Sequence, residues 1–449
     1  MSYSPDTENL VQAGQPRWTD HPLREVLAGE LHARPYLALQ PPLRGSLIAM
    51  VSGEEGFAAD LAHLAVLLQL HGRPVPAPSK HYSGDFGTFS LKFERHSEFS
   101  TYTFFRSGGF EHPFEDTALS AVPAEWLEKL PGKRLVALHL AIEPRGTPSH
   151  HQADLARYFR LPSLIGSRLA GGAAMVWTDF QLHEDGFTRF LVCDTGPSLI
   201  ADAHMSPLRA GRIVQRLMEI ETYRMMALLG LPLAQSLAPE IARIEAGTKE
   251  IVGSLAEIDG LEETRVMLGR LSRLSGEVEA ITARSSFRFD ATRAYYELVR
   301  QRTQLLREEP VEGLQTIDEF LQRRLAPAMA TCTASAQRIE NLARRLARAG
   351  ALLSTQVNVG LESQNRDLLV SMDRRAQLQA RLQSTLDLIS VCAVTYYLSL
   401  LLGMILRGIN HTGLALDVDL VEGLAIPFVL VGVWTGLRWA RRMVTRSQK

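Results

Sequence analysis

Leu388 to Leu406 reads LISVCAVTYYLSLLLGMIL, nineteen residues without a charged side chain. At 1.5 Å per residue this is about 28 Å of helix, close to the thickness of a bilayer's hydrocarbon core. The stretch therefore predicts a transmembrane helix, and it organises everything around it. A second run, Gly423 to Leu437 (GLAIPFVLVGVWTGL), is shorter, but Trp434, Arg438 and Trp439 suit the interface and extend it. It reads either as a second span or as a buried or re-entrant helix. Arg374, Arg375 and Arg381 precede the first run, and Arg438, Arg441, Arg442, Arg446 and Lys449 follow the second. The connecting segment, residues 407–422, carries Asp417, Asp419 and Glu422 against the single Arg407. Because positive charge stays on the side of synthesis, this pattern predicts a multi-pass hairpin with both termini cytoplasmic, which in a bacterial protein means the inner membrane. The opening residues, MSYSPDTENLVQAGQ, have neither the basic start nor the apolar centre of a signal peptide.

The rest of the composition is that of an ordinary folded protein. The chain has 449 residues, 46% of them hydrophobic and 22% charged, with 48 basic against 49 acidic side chains. That balance gives no overall field to attract nucleic acid. Three widely spaced cysteines, Cys193, Cys332 and Cys392, make neither a disulfide framework nor a CxxC metal motif.

Ahead of the membrane run, residues 1–205 predict an α+β domain with a largely antiparallel sheet. Thr88–Phe105 and Arg134–Ile142 have strand character, as do Ala173–Phe180 and Phe187–Cys193 around a QLHEDG turn. Phe57–Leu70 and Asp154–Phe159 look helical. Residues 206–326 predict a helical bundle: one helix from Pro207 to about Leu231, then Leu233–Gly253, Leu255–Arg284 and Phe289–Glu308, with Pro310 and Pro327 as breaks. After Pro327 no proline occurs before Pro427. Residues 327–387 thus predict a stalk helix that enters the first span (388–406), followed by an outer loop (407–422), a second span (423–441) and a basic tail (442–449). Such a helix would be about 120 Å long, which favours self-association.

Three segments, HPLREVLAGELHARP (His21–Pro35), LKFERHSEFSTYTF (Leu91–Phe104) and VQRLMEIETYRMMALLGLP (Val214–Pro232), resemble a bacterial family of membrane-anchored proteins of unknown function. That resemblance implies a location and no activity. The overall plan of α/β domain, stalk and two C-terminal spans is also similar to the CorA class of magnesium channels. That class carries a Gly-x-Asn signature where its first span leaves the membrane, matched here by Gly408-Ile409-Asn410. It keeps basic residues after the second span, matched by Arg441 and Arg442, and an acidic outer loop, matched loosely by Asp417 and Asp419. Arg407 before the glycine and the lack of Met-Pro-Glu in the loop depart from the pattern.

The resemblance implies a homo-oligomeric divalent-cation channel or transporter in the lipid bilayer, a pentamer that carries Mg²⁺ and has no catalytic residues. Counting back from Asn410 by threes and fours gives Leu406, Gly403, Ser399, Tyr396, Cys392, Ile389 and Thr385, a face that is small or weakly polar. Five copies of it would line a narrow pore. Asn410 would offer amide oxygens to hydrated Mg²⁺ at the outer mouth, Gly408 would permit the turn that exposes it, and Asp387 would form a ring at the inner mouth. Other readings of these residues stay open. Small residues at this spacing also pack two membrane helices together, Asn410 also suits a helix end, and Asp387 also suits a pair with Arg381.

Enzyme chemistry finds no specific signal. His21, Glu30, His32 and Arg34 cluster without a metal-ligand spacing, and His21 before Pro22 fits a helix start. His150 and His151 read as exposed loop residues, and the Phe99–Phe105 aromatics as sheet packing rather than a nucleic-acid platform. HExxH, GxSxG, Walker A and GxGxxG motifs are all absent. The alternative to a channel is a membrane-anchored scaffold or interaction protein without transport.

Overall fold

The computed structural model describes residues 20–25, 27–28, 36–143, 147, 150, 152–195, 205–255, 260–410 and 418–446; the side chains of 54, 152, 409–410, 418 and 440–446 lie outside that description. In chain order its strands are β1 (Leu43–Val51), β2 (His81–Asp85), β3 (Ser90–Arg95), β4 (Phe99–Ser107), β5 (Lys133–Glu143), β6 (Ile165–Leu169), β7 (Ala174–Thr178), β8 (Thr188–Asp194) and β9 (Glu309–Pro310). Its helices are α1 (Phe57–Leu70), α2 (Ala124–Glu128), α3 (Gln152–Leu155), α4 (Pro207–Leu228), α5 (Gly230–Ser254), α6 (Leu261–Leu306), α7 (Ile317–Asn410) and α8 (Val418–Arg446).

One sheet contains all nine strands in the order β2-β3-β4-β1-β5-β8-β7-β6-β9. It is mixed: β5 and β8 run parallel, and the other neighbouring pairs are antiparallel. The segment 88–105 forms two strands rather than one, β3 and β4, paired antiparallel around the His96–Glu98 turn. β1, an interior strand between β4 and β5, has no sequence alternation because eight of its nine residues are buried. Phe93, Tyr102 and Phe104 pack with Leu64, Leu67 and Leu68 of α1 and Trp126 of α2 in one core. Phe114, Phe159, Met175, Trp177 and Leu191 form another.

The chain divides into two compact units, Met1–Glu250 with Arg273–Ala347, and Ile251–Ser272 with Arg348–Lys449. In the first unit α4 begins at Ser206, whose Oγ accepts the Arg209 amide at 3.3 Å, with Pro207 in the first turn. A Cβ on Gly211 of α4 would lie 1.8 Å from the Leu37 carbonyl oxygen, so only glycine allows that approach. The two helices expected over 255–284 and 289–308 are one continuous helix, α6.

Pro327 does not start the long helix but lies inside it. The start is fixed upstream by a capping box, in which Glu319 Oε2 accepts the Thr316 amide at 3.0 Å and Thr316 Oγ1 accepts the Glu319 amide at 3.1 Å. The carboxylate of Glu308 also accepts the amides of Ile317 and Asp318, both at 2.9 Å, and the hydroxyl of Ser167 on β6 at 2.5 Å. Four otherwise orphaned groups are thus satisfied, and buried Leu321 and Leu325 anchor the turns before the proline.

In the second unit, a Cβ on Gly350 or Gly360 of α7 would come within 3.3 Å of Leu271 or 3.2 Å of Leu261 on α6, so these glycines admit close helix packing. Among the described residues, three helical stretches are long and apolar enough to cross a membrane by length and composition: Pro207–Ser254, Ile317–Gly408 and Asp419–Trp439. The last two contain the runs singled out in the sequence. In the first, Ile213, Leu217, Ile220 and Met226 are buried, which gives its apolar character a role inside the folded unit.

Candidate functional site

The C-terminal part of α7 remains helical through Gly408 and as far as Asn410. Gly408 therefore supplies no turn, because nothing before residue 411 interrupts the backbone hydrogen bonding. Asp419 and Glu422 belong to α8, not to an outer loop. Asp417 lies outside the described residues, as do the side chains of Ile409, Asn410, Arg441 and Arg442.

The expected pore face is split. Gly403 is buried, and a Cβ added to it would fall 2.6 Å from the Glu422 carboxylate. Buried Thr395 and half-buried Val391, Ser399, Leu402 and Leu406 continue that stripe along α7. Cys392, Tyr396, Ile389 and Thr385 are exposed. The small-residue pattern thus belongs partly to packing within the chain, and Glu422 covers the place assigned to an open Gly403. Two polar side chains on the expected face spend their hydroxyl protons on their own helix: Ser399 donates to the Tyr396 carbonyl at 2.9 Å, and Thr385 to that of Arg381 at 2.9 Å. Their oxygens retain lone pairs for a cation. Asp387 is half-buried, Arg407 is exposed, and Arg438 sits over the Trp434 ring at 4.4 Å. Among the described side chains here, those suited to a hard dication are the carboxylates of Asp387, Asp419 and Glu422.

A second feature lies within the first unit. A cavity of about 340 Å³ opens between the sheet, through Leu47, Lys92, Thr101 and Phe105, and α4, through Val214 and Met218. That volume is in the usual range for small-ligand sites. Its charges are paired: Lys92 lies 3.1 Å from Glu94 and bonds Gln215 at 3.4 Å, while Arg302 of α6 pairs with Glu219. The sequence gives no sign of this cavity, since its residues come from segments far apart along the chain.

Near the start of the chain, His21 Nδ1 accepts the Leu23 amide at 3.2 Å, in keeping with a helix start. Glu30, His32 and Arg34 lie outside the described residues. So does His151, but His150 is not an exposed loop residue: it is half-buried, with Nε2 2.7 Å from Glu143 Oε2. The side chain of Glu143 draws its pKa upward against the opposing effect of burial. Phe99, Tyr102 and Phe104 are fully buried, as sheet packing requires.

A family model described as protein of unknown function (DUF3422) matches residues 19–444, and the chain belongs to that family. Neither a curated protein nor a solved structure matches the chain.

Proposed function

We propose that this member of the family is a homo-oligomeric inner-membrane divalent-cation channel or transporter on a CorA-like plan. The observation that carries the reading is α7, one unbroken helix from a capped start beside β6 to Gly408-Ile409-Asn410. Between these ends Leu361, Leu368, Met372, Leu382 and Leu386 recur at spacings of three, four or seven, or sums of these, and all are exposed. An apolar stripe in water invites a second copy of the same helix. In the proposed arrangement α7 and α8 form a membrane hairpin, the sheet domain is cytoplasmic, and Asn410, Glu422 and Asp419 supply oxygens at the outer mouth. Asp387 does the same at the inner mouth, where an intramembrane acid is otherwise expensive. The test is the mass of the detergent-purified complex, followed by Mg²⁺ uptake into liposomes. A conducting pentamer whose flux falls on Asn410→Ala supports the reading, and a monomer or dimer without flux sinks it.

A second reading, a membrane-anchored scaffold or ligand-binding protein, is favoured by Gly403 lying under Glu422 of the same chain and by exposed Arg407. Arginines around a narrow mouth would repel a dication. This reading expects Asn410→Ala to leave localisation and any partner binding unchanged, and no flux in either protein.

A further inference from the structure

Glu143 ends β5 and lies in register with Cys193 near the end of β8, the one parallel pair in the described sheet. The chain then brings His150 back over the same spot. One ligand atom from each of the three residues lies within 4.8 Å of the other two. Glu143 and Cys193 are each 6% exposed, and the ring of Trp177 meets His150 edge-on at 5.5 Å.

In the described state, two groups converge on a single oxygen. The Cys193 thiol donates to Glu143 Oε2, and His150 Nε2 lies 2.7 Å from the same atom. The order matters. A nucleophilic cysteine needs the imidazole next to its sulfur as base, whereas here the carboxylate stands between them. Burial and the adjacent Glu143 also push the thiol pKa upward, the opposite of activation. The arrangement instead resembles a ligand set whose central position is held by protons.

We propose that Glu143, His150 and Cys193 bind a transition-metal dication of the zinc class. A thiolate, a carboxylate and a neutral imidazole together carry two negative charges, which a dication neutralises in this buried place. Mixed sulfur, nitrogen and oxygen donors suit Zn²⁺ or Co²⁺, while Mg²⁺ prefers an all-oxygen shell. Ligand atoms around tetrahedral zinc stand roughly 3.3–3.8 Å apart, so the three atoms, already within 4.8 Å of one another, would part from hydrogen-bond contact as the metal enters. Binding requires the Cys193 thiol to release its proton as the metal–sulfur bond forms. Three protein ligands leave a fourth position for water or another donor. The site lies in the sheet domain and stands or falls independently of the pore reading.

The test uses full-length protein in detergent, stripped with chelator and titrated with Co²⁺ alone. The expected result is one Co²⁺ per chain with a thiolate-to-cobalt charge-transfer band, displaced by Zn²⁺ and untouched by excess Mg²⁺. Cys193→Ser should abolish the band. His150→Gln, at a half-buried position, should weaken affinity by more than the roughly 10–100-fold typical of losing an outer-shell partner. A Cys332→Ser/Cys392→Ser double variant should keep the band. Absence of the band, or binding unchanged in both Cys193→Ser and His150→Gln, would overturn the site.

Discussion

Along α7, residues 317–353 and residues 361–386 carry the same kind of apolar repeat and differ in what covers it. In the first stretch Leu321, Leu325, Met329, Cys332, Ile339, Leu342, Leu346 and Leu353 are all buried. In the second, Leu368 is 60% exposed, Met372 64% and Leu382 66%. Burying such side chains is worth about 1.5–3 kcal/mol each, so the second stretch holds unused association energy. Periodicity announces a face and says nothing of whether its partner comes from the same chain.

The contrast can be broken most directly in the covered stretch. Leu346→Ala, at a side chain 1% exposed, should cost about 2–5 kcal/mol in thermal or denaturant unfolding of the full chain. A loss no larger than that of an exposed leucine would mean that this stretch is not a core.

The sheet supplies a second reference, one that titrates. His139, hydrogen-bonded to Ser46 at 2.8 Å and stacked on Phe187, has its pKa lowered by burial to about 4. Between pH 6.5 and about 4 the unfolded chain takes up a proton that the folded one refuses. Stability should therefore be full above pH 6.5 and fall by up to ~3 kcal/mol on acidification through that window. In His139→Gln this part of the slope should vanish from a melting-temperature series across pH.

At the boundary where α7 begins, Thr316→Ala removes one half of the capping box and should cost ~1 kcal/mol, read in the same unfolding assay. Glu308 continues to hold the next two amides, which limits the loss.

The smallest effect on folding is expected in the exposed stretch. Leu368→Glu with Leu382→Glu should leave the unfolding of the sheet domain within about 0.5 kcal/mol of wild type. The same pair should lower the mass of the detergent complex, measured by light scattering. An unchanged mass would show that this stripe is not an assembly surface.

Much of the fold was legible where a strand or helix has one wet side. The QLHEDG hairpin, β5, α1 and the α4–α5 break all follow from local pattern. β1 was not, because a strand buried on both faces shows no alternation. The start of α7 lies ten residues before Pro327, where Thr316 and Glu319 carry the spacing of a capping box. A proline after several formed turns removes one hydrogen bond but does not undo a capped, packed helix. The small residues of the apolar run were legible as a face, but Glu422, the group that covers Gly403, comes from the far side of an intervening segment. Glu143 and Cys193 stand fifty positions apart in sequence. Only the parallel register of β5 and β8 makes them neighbours, and no local motif encodes it.

The edge strand β9 pairs with β6 from more than a hundred residues further along the chain. The sheet is consequently complete only once Pro310 has been made, and it is rich in the long-range pairings that fold slowly. The apolar run starts at Leu388. About 77 residues lie between, roughly 71 of them in α7, which at 5–20 residues per second is about 4–15 s of synthesis. The length of α7 thus sets an interval between the synthesis of the last described strand and that of the apolar run.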